Sequence, residues 1–232
     1  VNGPGKEEQG LDSALRQAAQ DFRYLLDRGY PREVSLNLVG NRYGLDRKAR
    51  QILHRGVFAP AVARERRAKL RKLSELTGVP LALDGHNVLI TLECAFRGLP
   101  VVWADDGYFR DIAELSRAFR FSPESERALA LLAAFLKAHQ PGPVVVLYDA
   151  PLSKSGELAR RTREVLATWG IAAEVRALPV PEKELLVFSG AVATSDTHLI
   201  DARQDLVDLA GEIILQEAGK GRAFRIIVLQ DH

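Results

Sequence analysis

A single cysteine in 232 residues, Cys94, excludes an internal disulfide and any zinc site built on several thiolates. It lies in an apolar helical pattern that marks it as a packing residue, and the scarcity fits a reducing compartment. Long apolar runs are missing as well. None approaches the ~20 residues of a membrane span, so no membrane partner is expected. The opening VNGPGKEEQG lacks the basic-then-apolar order of a secretory signal, which makes a cytoplasmic location the expectation. Net charge is nearly absent at +2, yet it is unevenly spread: residues 1–77 carry 16 Lys and Arg against 9 Asp and Glu, and the remainder carries 16 against 21. A basic segment suits a polyanion, while an acidic remainder concentrates carboxylates for a separate reason. Solvated helix faces are the plain alternative.

The chain reads as a disordered start over residues 1–10, a small all-α basic domain over 11–77 and an α/β domain over 78–232. Leu15, Ala18, Ala19, Phe22, Leu25 and Leu26 recur at helical spacing until Gly29 and Pro31 end the pattern. Shorter helices follow over 33–39 and 47–53, separated by GNRYG, and a fourth over AVARERRAKLRKLSEL stops before Gly78 and Pro80. Beyond Pro80, short apolar runs alternate with amphipathic helices, the pattern of βαβ units around a mostly parallel sheet. The runs are LALD (81–84), VVWADD (101–106), VVVLYD (144–149), AEVRAL (173–178), AVATSD (191–196) and RIIVLQD (225–231). Helices are expected over 88–96, 108–119, 124–139, 156–169 and 203–215.

Five of those six runs finish on aspartate. Ligands of an open parallel sheet bind beyond the carboxyl ends of its strands. Asp84, Asp105 or Asp106, Asp149 and Asp196 are therefore expected to share one cleft, with Asp201 nearby. Carboxylates gathered in this way repel one another, and Mg²⁺ or Mn²⁺ is the usual remedy. The competing reading makes some of them helix N-caps, with Asp105, Asp106 and Asp201 the readiest for that role.

LALDGHNVLI resembles the first strand of the NYN/PIN-like nucleases, which ends in a pattern close to D-G-Y-N-V; His86 replaces the tyrosine. VVVLYDAP and VATSDTHLI resemble that family's later strands, the second in its T/S-x-D-x-x-L/I pattern. The resemblance covers roughly residues 80–200 and implies a three-layer PIN-like domain. It places Asp84, Asp149 and Asp196 in a metal cluster with Asn87 beside them; Asp201, close after Asp196, is a further candidate metal ligand. His198 stands where many relatives have a second acid, which leaves the second metal position to His198, Asp201 or Glu93. The whole chain also resembles an uncharacterised prokaryotic family in which a helical DUF434-like domain precedes a PIN-like domain, through the segment RYLLDRGYPREVSLNLVGNRYGL.

Two loops suit phosphate. In APLSKSGE, Ser153, Lys154 and Ser155 precede a helix whose free N–H groups attract anions; an ordinary serine cap is the alternative. Thr194 and Ser195 either orient a metal-bound water or cap the next helix. His86 either acts on a leaving group or is a structural histidine. Among the N-terminal helices, Arg42, Tyr43 and Arg50 put cations and an aromatic together for RNA.

The resulting expectation is metal-dependent hydrolysis of a phosphodiester in RNA, structured or single-stranded, by an endoribonuclease. The alternative is a nucleic-acid binding protein whose PIN-like domain is inactive, which His198 favours. A metallophosphoesterase, suggested by Asp84 and His86 as D-x-H, lacks the G-N-H-D/E element that such a site needs. A homo-oligomer is left open.

Overall fold

The computed structural model describes residues 4–112, 121–152 and 154–230. In chain order its elements begin with the helices α1 (Pro4–Asp27), α2 (Arg32–Arg42), α3 (Arg47–Gly56) and α4 (Pro60–Ala68), then β1 (Leu81–Asp84), α5 (Gly85–Phe96), β2 (Val101–Trp103) and β3 (Phe109–Asp111). They continue with α6 (Pro123–His139), β4 (Val144–Asp149), α7 (Ser155–Thr168), β5 (Ala173–Leu178), α8 (Glu182–Val187) and β6 (Ala191–Ala193). The chain ends with α9 (Thr197–Ala202), β7 (Leu206–Val207), α10 (Leu209–Gly219) and β8 (Ile226–Val228). Two compact units result. A helical unit combines Val1–Ala68 with Val102–Ile112 and Ile226–His232, and a sheet unit combines Lys69–Val101 with Ala113–Arg225. A single cut between residues 77 and 78, as expected from the sequence, does not reproduce this division.

The helical unit is organised by the stripe read from α1, with Leu15, Ala18, Ala19 and Phe22 all buried. The helix starts at Pro4, ahead of the expected Leu11, so residues 4–10 are helical. Asp46 caps α3 by accepting the Ala49 N–H. The GNRYG turn is held from within. Arg50 donates from Nε to the Leu45 carbonyl at 2.9 Å and from Nη2 to Asn41 Oδ1 at 2.9 Å, and a Cβ on Gly40 would fall 2.2 Å from its Nη1.

A three-stranded sheet of order β3-β2-β8 belongs to this unit. VVWADD and RIIVLQD therefore do not join the parallel sheet, contrary to the expectation. Their apolar residues Val102, Ala104 and Leu229 enter the core around Phe22 and Leu53, and a Cβ on Gly56 would meet Val102 Cγ1 at 2.6 Å. Asp105 and Asp106 follow them into this unit. The helix expected over 108–119 begins instead as β3, and its residues 113–119 lie outside the described ones.

The sheet unit carries five parallel strands in the order β5-β4-β1-β6-β7. Counted along the chain within this unit, that is 3-2-1-4-5, the doubly wound order. β1 is buried over Leu81–Leu83, as a central strand covered on both faces must be. Among the helices of this unit, α5, α6, α7 and α10 pack among themselves, and α8 packs with α9. The helix expected over 203–215 is interrupted by β7 and starts afresh at α10, whose cap is Asp208. The basic run after Ala68 also leaves the helix early. Lys69 Nζ donates to the carbonyls of Ile200 and Asp201 at 3.0 and 3.1 Å, and the Arg71 N–H donates to Leu206. These bonds tie the segment to β7 and α9. Among the described residues no helix is long and apolar enough to cross a membrane.

Candidate functional site

The strand order reverses between β1 and β6, since the chain first runs outward from β1 through β4 and β5 and then resumes on the other side. That reversal opens a crevice at the carboxyl edge. Asp84 ends β1, level with Leu147 on β4 and one step beyond the Leu83–Ala193 pair with β6. Asp149 ends β4 two residues past that level, and Asp196 lies three residues beyond the end of β6, at the N-cap of α9.

Asp84 is the best defined of the three. It caps α5 by accepting the Asn87 N–H at 3.4 Å, and its Oδ2 accepts the Thr194 hydroxyl at 2.9 Å. That hydroxyl oxygen in turn accepts the Asp196 N–H at 3.0 Å, so one threonine links the first and third acids. Asn87 completes the connection: its Oδ1 accepts from Ser195 N at 2.8 Å and Ser195 Oγ at 3.0 Å. Asp196 caps α9 through the N–H groups of His198 and Leu199.

On the β4 side, His86 Nδ1 accepts the Asp149 N–H at 3.0 Å and lies 3.5 Å from Asp149 Oδ2. Burial lowers this histidine to about 4, so it is neutral at pH 7 and the contact is not an ion pair. Its ring meets the Tyr148 ring edge-on, with centroids 5.0 Å apart. The approach is close enough that a Cβ on Gly85 would lie 2.5 Å from Tyr148. The glycine after Asp84 is thus required by packing.

Burial dominates the electrostatics of Asp84. Part of the Asp84 surface reaches solvent, but its carboxyl is enclosed, and burial, with the Asp196 and Asp149 charges adding, raises it to about 7 against the pull of Thr194 and Asn87. Burial also raises Asp149. The donors are hard carboxylate oxygens of the sort Mg²⁺ or Mn²⁺ prefers, and a group raised toward neutrality has reason to take up a cation. Among the described residues, however, no three His, Cys, Asp or Glu side chains are already gathered as a metal site. A shared ion would require the acids to draw closer together.

The other candidate residues divide. Lys154 is exposed, adopts φ 65° and stands at the N-cap of α7, while the Ser155 hydroxyl is turned onto the carbonyls of Asp149 and Leu152. Ser153 lies outside the described residues. Asp201 is exposed near the far end of α9, and its carbonyl is taken by Lys69. Glu93 is buried along α5 against Ser125 and Arg97. Asp105 and Asp106 are buried among arginines of the helical unit, with Asp105 bound by Arg23 and Asp106 by Arg66 and Arg110. They are structural partners, not members of the cleft. Arg42, Tyr43 and Arg50 also belong to the helical unit. Tyr43 donates to Asp21 at 2.8 Å, Arg42 lies 3.6 Å from the same carboxylate, and Arg50 holds its own turn. Arg23 and Arg66 gave no local motif, because their partners Asp105 and Asp106 lie 82 and 40 residues away; only Arg110 is local to Asp106, four residues on.

A family model described as a domain of unknown function (DUF5616) matches residues 73–212, and one described as a protein of unknown function (DUF434) matches residues 14–69. The chain belongs to the DUF5616 family. Its DUF5616 segment holds all three acids, and its DUF434 segment holds α2 to α4 and most of α1. The uncharacterized protein MJ0935 of Methanocaldococcus jannaschii is 34% identical over 203 residues, covering 87% of this chain and 97% of that one. The similarity therefore runs through both segments of the DUF5616 chain. No solved structure matches it.

Proposed function

We propose that the sheet unit is a PIN-like, metal-dependent phosphodiester hydrolase acting on RNA. The observation that carries this reading is the convergence of Asp84, Asp149 and Asp196 at the switch point, with Asp84 raised to about 7 partly by the other two. The resemblance of LALDGHNVLI, VVVLYDAP and VATSDTHLI to the NYN/PIN-like strands supports it. The three carboxylates would hold Mg²⁺ or Mn²⁺, which when bound polarises a phosphoryl oxygen and makes water a better nucleophile at neutral pH. The chain's own polar groups have a different task. Thr194 keeps the Asp84 carboxyl oriented, and Asn87 fixes the Ser195 backbone and hence the position of Asp196. His86 holds the backbone of Asp149 without adding charge. Lys154 and the first N–H groups of α7 lie close along the chain to Asp149, and together they offer a landing point for a substrate phosphate.

Purified protein is expected to cut single-stranded RNA in Mn²⁺ or Mg²⁺ and to stop in chelator. Asp149→Asn is expected to lower the rate by at least ~100-fold through lost charge stabilisation. Equal rates for wild type and variant would refute the assignment. A second reading, an inert sheet unit in an RNA-binding protein, is favoured by the exposed His198 where relatives carry an acid and by the acids' separate roles as helix caps. Metal-independent RNA binding without cleavage would select it.

A further inference from the structure

The helical unit has its own concentration of charge, centred on Phe58. The guanidinium groups of Arg32 and Arg66 lie 4.6 Å from the ring centroid, and that of Arg110 lies 5.1 Å from it. Fully buried Asp106 receives Arg66 Nη1 at 3.1 Å and the two Nη groups of Arg110 at 2.7 and 2.8 Å. Asp105 receives Arg23 Nε and Nη2 at 2.8 and 2.9 Å and the Phe58 N–H at 3.1 Å. Arg32 differs from these, since its Nη2 donates to the backbone carbonyls of His54 and Val57. Burial, with repulsion from Arg66 and Arg110, lowers it to about 10, which still leaves it charged at pH 7. Four guanidinium groups thus surround two carboxylates among the described residues, in a setting where solvent screens little.

Beside this cluster the same unit opens a cleft of about 330 Å³, bordered by Arg23, Phe58, Ala63, Arg67, Asp105 and Gln230. Phe58 and Ala63 make an apolar wall. Arg67 is exposed on α4, and Arg23 spends Nε and Nη2 on Asp105 and the Leu229 carbonyl, which leaves Nη1 without a bond among the described residues. Planar guanidinium donors match phosphate oxygens. The volume lies at the small end of ligand sites, and the carboxylate and amide can read the edge of a ring. We infer that this cleft binds one phosphate-bearing nucleotide unit, with its phosphate on Arg67 and Arg23 and its ring along the Phe58 and Ala63 wall. The inference does not depend on cleavage by the sheet unit, because it concerns binding alone.

The test uses the full chain in chelator, titrated calorimetrically with adenosine 5′-monophosphate, a ten-nucleotide single-stranded RNA and inorganic phosphate. One saturable site per chain is expected for the nucleotide, the RNA or both, weakening with salt. Arg67→Glu is expected to reduce affinity at least ~10-fold with an unchanged thermal melt, while Arg28→Ala, at an exposed position of the same unit, stays within about twofold. If Arg67→Glu is poorly folded, Gln230→Ala replaces it and is expected to weaken the nucleotide but not inorganic phosphate. Binding of the nucleotide alone would identify a free nucleotide as the ligand, and binding of RNA alone an internal phosphate of a strand. The inference is overturned if neither binds saturably, if inorganic phosphate binds as tightly as the nucleotide, or if Arg28→Ala costs as much as Arg67→Glu.

Discussion

Asp84 sits where a helix needs an acceptor and a sheet gathers like charges, and the two roles pull its chemistry in opposite directions. The bonds from Asn87 and Thr194 favour the carboxylate, but burial and the Asp196 and Asp149 charges override them, taking it from 3.8 to about 7. A carboxyl raised on folding lends stability that is complete below its unfolded value and is lost as pH climbs through its folded one. Metal-free protein should therefore lose up to roughly 4 kcal/mol from this group between pH 4 and 7. His86, lowered from 6.5 to about 4, acts in the reverse sense: its contribution is complete above pH 6.5 and is lost as pH falls through 4. Comparison with Asp84→Asn isolates the aspartate, because asparagine caps a helix equally well and does not titrate. In chelator, the stability of wild type relative to Asp84→Asn should fall as pH rises from 4 to 7. A difference that stays flat in urea titrations across that range would mean that folding does not raise the Asp84 carboxyl. Adding Mn²⁺ at a hundred times its dissociation constant should then restore ~2.7 kcal/mol to the wild type and little to the variant.

At the scale of elements, the segment carrying β2 and β3 shows that a strand pattern does not name its sheet. VVWADD has the apolar run and the terminal acids of a catalytic strand, as VVVLYD does. What separates them is the company of their acids: Asp149 keeps partial exposure beside neutral His86, while Asp106 has none and faces Arg66 and Arg110. Removing one partner of a buried charge group strands the others, at about 3 to 5 kcal/mol. Asp106→Asn should therefore lower the urea midpoint strongly and leave RNA cleavage by the folded fraction unchanged. Full stability with lost cleavage would instead put Asp106 among the working acids. The same comparison explains the basic run after α4. Its charge reads first as a solvated helix face, yet Lys69 and Arg71 are used to fasten β7 and the end of α9.

For the whole molecule, the helical unit is assembled from three separated stretches of chain. Its core joins Phe22 and Leu53 from the N-terminal helices to Val102, Ala104, Ile112 and Leu229 from much later. A fragment of residues 1–77 lacks those four side chains and the carboxylates of Asp105 and Asp106, leaving Arg23 and Arg66 without those partners. Such a fragment should show helical circular dichroism but no cooperative melt, whereas the full chain should melt cooperatively. A sharp transition in the fragment would show that the later stretches merely decorate a self-sufficient domain.

The sequence by itself determined the helical stripe of α1, four of the five strands of the parallel sheet and the acids at the ends of three of them, while β7 was hidden in an expected helix. Each is a local periodicity or a residue at a fixed offset from one, such as Asp84 after LAL or Asp149 after VVVLY. The order of those strands, and with it the linkage of Asp84 to Asp196 through Thr194 and the placing of Asp149 beside His86, was decided by the tertiary structure. So was the removal of Asp105 and Asp106 to another sheet. The physical reason is that a carboxylate's role depends on what else is buried with it. For Asp105 and Asp106 those neighbours, Arg23 and Arg66, stand 82 and 40 residues away, a separation across which no local pattern specifies a partner.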